Sequence, residues 1–591
     1  MSIDPTTLVV IQNALQHIAS EMDLVHQKAS FSPIIAEALD RANGIYHRDD
    51  GAVIAQGETS LPTFVGVMQF TTEAVIAENM DLSEGDIVVV NDPYFGGTHL
   101  MDVKLVKPFF YRGALWCYLT NSGHWPDIGG MVPGGFATEA TEIQQEGLRI
   151  PPVRLYRENV LCEDVLRIIL SNIRVPEERL GDIRAQVGAL DAGARSLTRL
   201  LDRYGADVVE TCIAEFRRRS ETQMRSHIEA IPDGLYAFSS EIDSDGVDGR
   251  PLTVALDMTV RGSDIEFDLS RSSPPCRGPM NSVWAITRSA IYIALKHIFP
   301  DVPINAGCFA PLHIRKPVGT FLYAEYPRPV SGCAAEVSQR LIEVVLGAFG
   351  KAAPEMVVAA PFSSSGNFTL GGWDPLHRRN YVMINFSGGG YGASTDLDGL
   401  SNAAASISAA KTMPLERIEE SYPVLFDHYR LSTDSGGAGK RRGGLGVDYQ
   451  LRLLRGEGRA SFLMDHGRIG PHGLLGGHRG ATNRIELERG GRIEKLPLDS
   501  KGSGIELQPG DRVRVVTPGG GGFGDPRERE PDLVGRDLRR GYISAQAAQA
   551  VYGIEPPADR ADMDSDRENK EKENVSSNTH ALGHSGHLRR P

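Results

Sequence analysis

Between Asn91 and Pro152 the chain gathers residue types that can hold a metal ion. It reads NDPYFGGTHLMD, then a hydrophobic passage to NSGHWPDIGG, then PGG and QQEGLRIPP. His99 and Asp102 stand three residues apart in one Gly-rich turn, and His124 stands in another. Two imidazoles and one carboxylate suit a divalent transition ion such as zinc, manganese or iron, and leave coordination positions for water or substrate. Asp40, upstream beside Glu37, is the candidate fourth ligand, although alone it reads as a helix-end or turn carboxylate. Asp92 and Asp127 are candidates to fix the imidazole tautomers. Asp127 and Glu146 form the candidate catalytic pair, with Glu146 as a base or hydrogen-bond acceptor near the metal. An isolated His-x-x-Asp is common in turns, so the elements must bring these groups together.

A hairpin does so. Residues 103–110 and 114–120 are β-rich and flank Tyr111-Arg112-Gly113. In a tight hairpin centred on Arg112-Gly113, facing residues have numbers that sum to about 225, which sets Asp102 opposite Gly123, one residue from His124. A slip or a bulge of one residue leaves the groups at the same end. Upstream, Asp4-Pro5 opens an amphipathic helix with Leu8, Ile11, Leu15, Ile18, Met22 and Val25 on one stripe. A hairpin turning at Asp49-Asp50-Gly51 follows, with Asp40 at its entrance. Residues 62–78 have helical spacing, and 87–90 form a short apolar strand leading to Asn91.

Beyond the site, residues 163–231 read as a helical block. Residues 234–326 carry alternating strands such as LTVALDMTVRGSDIEFDLS. NSVWAITRSAIYIALKHIF and AEVSQRLIEVVLGAFG read as buried helices, and 411–530 as strand-rich. The expected fold class is α+β, multi-layer, with mixed or antiparallel sheets, an N-terminal helix and a strand-rich C-terminal part. The expected divisions are a metal-binding part with its helical block (1–232), a central α+β part (233–410), a strand-rich Gly-loop part (411–530), a short C-terminal helix (531–554) and a disordered tail (555–591).

Composition narrows the partners. The net charge of −14 with scattered Lys and Arg argues against nucleic acid. No window approaches ~18 apolar residues, and MSIDPTTLVV lacks a signal-peptide pattern, so no membrane span and a cytoplasmic location are expected. The six cysteines form no CxxC pair and read as reduced and buried. His466, His472 and His478 read as polar loop residues. GGAGKR lacks the Ser or Thr and the spacing of a phosphate loop, and no helix can continue from TPGGGGFG through Asp525-Pro526 into a dinucleotide site. The 65 glycines, mostly clustered, imply backbone shaped around a site or packed closely against a partner.

NDPYFGGTHLMD, GHWPDIGGMVPGG, QQEGLRIPPVRL, GKRRGGLG and TPGGGGFGDP, in this order over about residues 5–530, resemble the hydantoinase B/oxoprolinase family. That resemblance implies a B-type subunit of an ATP-dependent cyclic-amide hydrolase, acting on a hydantoin, 5-oxoproline or a lactam. It implies ATP-Mg on a hydantoinase A-type partner, in an A2B2 heterotetramer, and a divalent zinc or manganese at His99, Asp102 and His124 with Asp40 at the earlier acidic position. Activation by ATP on the partner would be followed by attack of a water whose pKa the metal lowers toward ~7. The family also contains subunits of ketone carboxylases, which is the alternative reading. A non-catalytic scaffold for the ATPase is the second alternative.

Overall fold

The computed structural model describes residues 4–555. The side chain of Asp4 accepts the Thr7 N–H at 2.9 Å and starts α1 (Pro5–Ala29). Leu8, Ile11, Leu15, Ile18 and Met22 are buried along it, as the spacing predicts. Then come α2 (Pro33–Ala36), the hairpin β1 (Arg41–His47) and β2 (Val53–Gln56), α3 (Pro62–Ala77), β3 (Ile87–Val90), and a second hairpin of β4 (Asp102–Tyr111) and β5 (Ala114–His124). With β6 (Val153–Arg157) and β7 (Val160–Leu161) these strands form an antiparallel sheet in the order β2-β1-β5-β4-β3-β6-β7. The helical block is α4 (Glu163–Ser171), α5 (Pro176–Tyr204) and α6 (Ala206–Glu229). Helices α1, α3 and α5 pack against the sheet, and α1 also lies along α5. All four residues of β3 are buried, which is why it reads IVVV without alternation.

The middle of the chain builds β8 (Gly234–Ile242), β9 (Leu252–Arg261), β10 (Asp264–Asp268), α7 (Trp284–Ile298) and β11 (Leu312–Ile314). These strands form a sheet ordered β11-β10-β9-β8, in which β10 and β11 run parallel. A π-helical turn, Cys333–Val337, leads into α8 (Ser338–Ala352), which packs on α7, β8 and β9. Next come β12 (Asn367–Asp374), β13 (Arg379–Phe386) and α9 (Leu415–Ser421). The remaining strands are β14 (Val424–Leu431), β15 (Val447–Leu453), β16 (Glu457–Leu463), β17 (Arg484–Arg489), β18 (Arg492–Lys495), β19 (Lys501–Leu507) and β20 (Arg512–Val516). They complete sheets ordered β13-β12-β16-β19 and β14-β15-β20-β17-β18 before α10 (Pro531–Arg539) and α11 (Ala545–Ala550).

The fold is α+β with mostly antiparallel sheets, as expected. Strands β12 and β13 from the middle of the chain pair into a sheet with β16 and β19, so central and C-terminal segments interlock. One buried apolar cluster runs from Leu8 to Val515, and a small second one holds Val534, Leu538, Ile543, Ala548 and Tyr552. The expected disordered tail lies outside the described residues, apart from Glu555. Among the described residues no helix is long and apolar enough to cross a membrane.

The glycine clusters pack on one another. A Cβ on Gly443 would sit 2.0 Å from the Gly520 carbonyl oxygen, and one on Gly390 would sit 2.0 Å from that of Gly444. Backbone hydrogen bonds from Gly520 to Gly444 (3.0 Å) and from Gly437 to Gly520 (2.8 Å) join the segments. GKRRGGLG and TPGGGGFGDP are therefore a backbone weld that only glycine allows. After it, Asp525-Pro526 opens only a short 3-10 turn, Pro526–Glu528.

Candidate metal centre

The β4–β5 hairpin turns at Arg112 and Gly113, both with positive φ. Tyr111 faces Ala114 and Phe110 faces Leu115, as the arithmetic expects, but a bulge then leaves Trp116 unpaired and Phe109 faces Cys117. The one-residue shift sets Asp102 directly opposite His124 rather than Gly123. His124 Nδ1 lies 3.0 Å from Asp102 Oδ1. Strand β1 pairs with β5 on its other edge, with Arg41 opposite Gly123, so Asp40 comes level with His124. The His124 N–H donates to the Asp40 carbonyl at 3.1 Å, and Asp40 Oδ2 lies 3.6 Å from His124 Nδ1.

His99 arrives from the loop ahead of β4. Asn91 staples that loop: its amide donates to the Leu100 and Leu148 carbonyls at 2.8 and 2.9 Å and accepts the Ile150 N–H at 2.6 Å. The rings of His99 and His124 meet edge to face with centroids 5.2 Å apart, and Phe136 stacks on His124. One donor atom each from His99, Asp102 and His124 lies within 4.8 Å of the other two. All four residues, Asp40 included, are at most 5% exposed.

Electrostatics couple these groups: burial would lower the His124 pKa, yet Asp40 and Asp102 raise it above the ordinary value. Burial drives the His99 pKa down to about 3 against the pull of Asp102, so its ring is neutral at pH 7. Burial would raise the Asp102 pKa, yet its pairing with His99 and His124 and the Lys104 charge bring it below the ordinary carboxylate range. Asp40 is pushed up to about 7 by burial, with His124 opposing and Asp102 adding to the rise. The Lys104 ammonium reaches the cluster through the Thr98 hydroxyl, which accepts from Lys104 at 2.7 Å and donates to Asp102. His99 Nδ1 and His124 Nε2 are buried and form no hydrogen bond within the protein. Unpartnered ring nitrogens beside an ionised carboxylate are the donor set that a zinc- or manganese-like ion takes, so the residues fit such an ion.

The cluster opens on a cavity of about 450 Å³. Its walls include Phe136, Ala334 and Ala335 of the π-helical turn, Asn367, and residues of a small-residue strap over 402–412. The strap is tied down by Lys411 N–H to the Ala38 carbonyl, Thr63 N–H to the Ile407 carbonyl, and Ser406 to the Gln339 side chain. Nothing in SNAAASISAAKT flags a site wall, and a single Asn at the start of a strand carries no pattern. These residues were invisible in the sequence.

Three expected carboxylates are engaged elsewhere. Asp127 accepts from Arg174 Nη1 at 2.8 Å, the Arg174 N–H at 2.7 Å and the Gly129 N–H, and pins the loop after β5 to the start of α5. Glu146 is fully buried and accepts the Ser331 and Val330 N–H groups at 2.8 and 3.1 Å; burial pushes its pKa up to about 8. Asp92 accepts the Tyr94 N–H and faces Arg149. The structure brings none of the three to the imidazoles, and none lines the cavity.

His466 and His472 are polar loop residues, as expected, and a second buried polar cluster engages them: both contact Glu343 of α8 at 3.2 Å. Arg340 bridges Glu343 and Asp465, and Lys501 donates to Asp465 at 3.1 Å. The acidic partner Glu343 lies more than 120 residues upstream, so the local sequence around His466 could not reveal it.

The family model described as hydantoinase B/oxoprolinase matches residues 4–526. The caprolactamase subunit beta of Pseudomonas jessenii is 34% identical over 94% of this chain and 96% of its own length. The crystal structure of ATP-dependent caprolactamase from Pseudomonas jessenii superimposes with a TM-score of 0.88 at 32% identity, covering 95% of this chain and 98% of that one. A nucleotide-free acetone carboxylase structure shares the fold, with a TM-score of 0.88 at 20% identity over 97% of this chain and 84% of that one.

Proposed function

This chain belongs to the hydantoinase B/oxoprolinase family, and we propose that it is the metal-binding B-type subunit of an ATP-dependent cyclic amidase. It would open a hydantoin, 5-oxoproline or lactam ring with an ATP-binding A-type subunit, as an A2B2 heterotetramer in the cytoplasm. The observation that carries this reading is the convergence of His99, Asp102 and His124, with two unpartnered ring nitrogens, at the wall of one cavity. A relative named as a subunit beta and a solved relative titled ATP-dependent support a separate ATP-binding chain.

An unstrained amide is a poor electrophile because its nitrogen donates into the carbonyl, and ATP chemistry on the partner meets that difficulty. His99, Asp102 and His124, with Asp40 as fourth ligand, would hold a zinc or manganese ion, which would supply Lewis-acid polarisation and a lowered water pKa. The chain's own groups do the rest. His99 is kept neutral and Asp102 ionised, so both can ligate without first losing a proton. Asp40 must give up its proton when an ion binds. Phe136 and the alanine-rich strap supply the apolar part of the cavity wall. Asp127 and Glu146 enter as positioning residues for the loops around the cavity.

The fold shared with acetone carboxylase favours one second reading, in which the cavity takes a ketone and a carbonate-derived electrophile. Co-expression with the A-type partner separates the two. Hydantoin, 5-oxoproline, lactams and ketones are screened for ATP turnover with and without labelled bicarbonate. Ring opening without label in the product supports the amidase; a new labelled carboxyl group replaces it with the carboxylase.

A further inference from the structure

The cavity beside the metal cluster holds polar groups that no part of the protein satisfies. Asn367, the first residue of β12, is 1% exposed, and its strand is paired on both edges, with Phe386 on β13 and Leu463 on β16. Neither Oδ1 nor Nδ2 of Asn367 has a hydrogen-bond partner. Two polar neighbours in the cavity lining, Ser365 and Ser387, are occupied. Ser365 donates to the Ala335 carbonyl at 2.9 Å and accepts from Gln339, and Ser387 bonds the Tyr449 hydroxyl at 2.8 Å. A buried amide left unpaired at both ends is costly, and in a cavity wall a ligand can meet both ends.

We infer that Asn367 is the specificity-determining residue of this cavity, and that its carboxamide reads the edge of a ring amide on which N–H and C=O lie side by side. The inference rests on the amidase reading above and names how that site selects its substrate. In a small ring the amide is held cis, so donor and acceptor face the same way. A primary carboxamide presents the complementary acceptor and donor at matching spacing, and two antiparallel hydrogen bonds form. An open-chain secondary amide is trans and turns its N–H and C=O to opposite sides, so only one can be met. A ketone offers an acceptor alone and leaves Asn367 Oδ1 unpaired. Once the carbonyl oxygen is activated, the ring nitrogen still presents either a proton or a lone pair, and the carboxamide can meet both.

Binding without turnover tests this. The metal-loaded protein is titrated calorimetrically with 2-piperidone, N-methyl-2-piperidone and cyclohexanone. Wild type is expected to bind 2-piperidone at least tenfold more tightly than the other two, since each lacks the N–H. Asn367→Leu, similar in size and apolar, should bind all three within a few fold while its metal content stays unchanged. A wild type without the preference, or an Asn367→Leu protein that keeps it, overturns the assignment. Asn367→Asp serves if the leucine variant does not fold: its carboxylate should shift preference at least tenfold from 2-piperidone toward the cationic ring amidine 2-iminopiperidine. No shift overturns the assignment equally. The amidase reading fails by separate signs, absent ring opening or absent metal, neither of which this titration measures.

Discussion

Two of the clusters of buried histidine and carboxylate among the described residues differ in where their positive charge comes from. Around Glu343 and Asp465 the chain supplies its own cations: Arg340 bridges the two carboxylates and Lys501 caps Asp465. Around Asp102 and Asp40 it supplies one ammonium, which reaches Asp102 through the Thr98 hydroxyl, and the His124 ring, whose pKa the two carboxylates raise against burial. The first cluster is closed by protein. The second keeps two ring nitrogens free and faces a cavity. Buried histidine and carboxylate alone therefore do not mark a metal site; ring nitrogens left without a hydrogen bond at a cavity wall do.

The largest effect should come from breaking the self-sufficient cluster. Arg340→Met leaves Glu343 and Asp465 buried without their shared cation and is expected to cost about 3–5 kcal/mol of stability. Urea unfolding measures it, and the remaining folded protein should keep its metal. A variant that loses metal at unchanged stability would erase the distinction between the clusters.

A smaller effect follows from loosening the metal cluster's support. Thr98→Val removes the hydroxyl that ties Lys104 to Asp102, and should weaken metal binding about 10- to 100-fold with little change in stability. Competition with a chromophoric chelator reads the affinity. An unchanged affinity would show that the hydroxyl does not orient Asp102.

The hairpin that carries Asp102 and His124 was legible because β-type runs flank a two-residue turn whose positive φ suits Arg112-Gly113. The bulge at Trp116 was not legible, since nothing in LWCY marks an unpaired residue, yet it makes the pairing direct. Asp40 was readable as a hairpin entrance, whereas its alignment with His124 depends on the β1–β5 pairing across more than seventy residues. Proximity in sequence misled for Asp127 and Glu146, because each carboxylate finds backbone N–H groups from a distant segment, at Arg174 and at Ser331. Asn367 and the Glu343 cluster rest wholly on long-range packing, which periodicity does not encode.

The smallest expected effect is in the pH dependence of stability. Burial would raise the Asp465 pKa, but Lys501 and Arg340 outweigh it and hold it well below the ordinary value; Arg340 and His466 do the same for Glu343. A carboxylate depressed in the folded state stabilises above its unfolded pKa of about 4 and loses that contribution as pH falls below it. Each should add up to about 1.4 kcal/mol per pH unit to the acid side of the profile. Urea midpoints between pH 5 and 3 should fall in wild type; a flat profile would mean that the cluster is not ionised as described.

Metal content of purified wild type and His99→Ala, measured by inductively coupled plasma mass spectrometry beside a urea melt, tests the central assignment most directly. Wild type should carry about one divalent zinc or manganese ion per chain, and His99→Ala almost none while remaining folded. Equal metal content in the two folded proteins would contradict the metal centre at His99, Asp102 and His124.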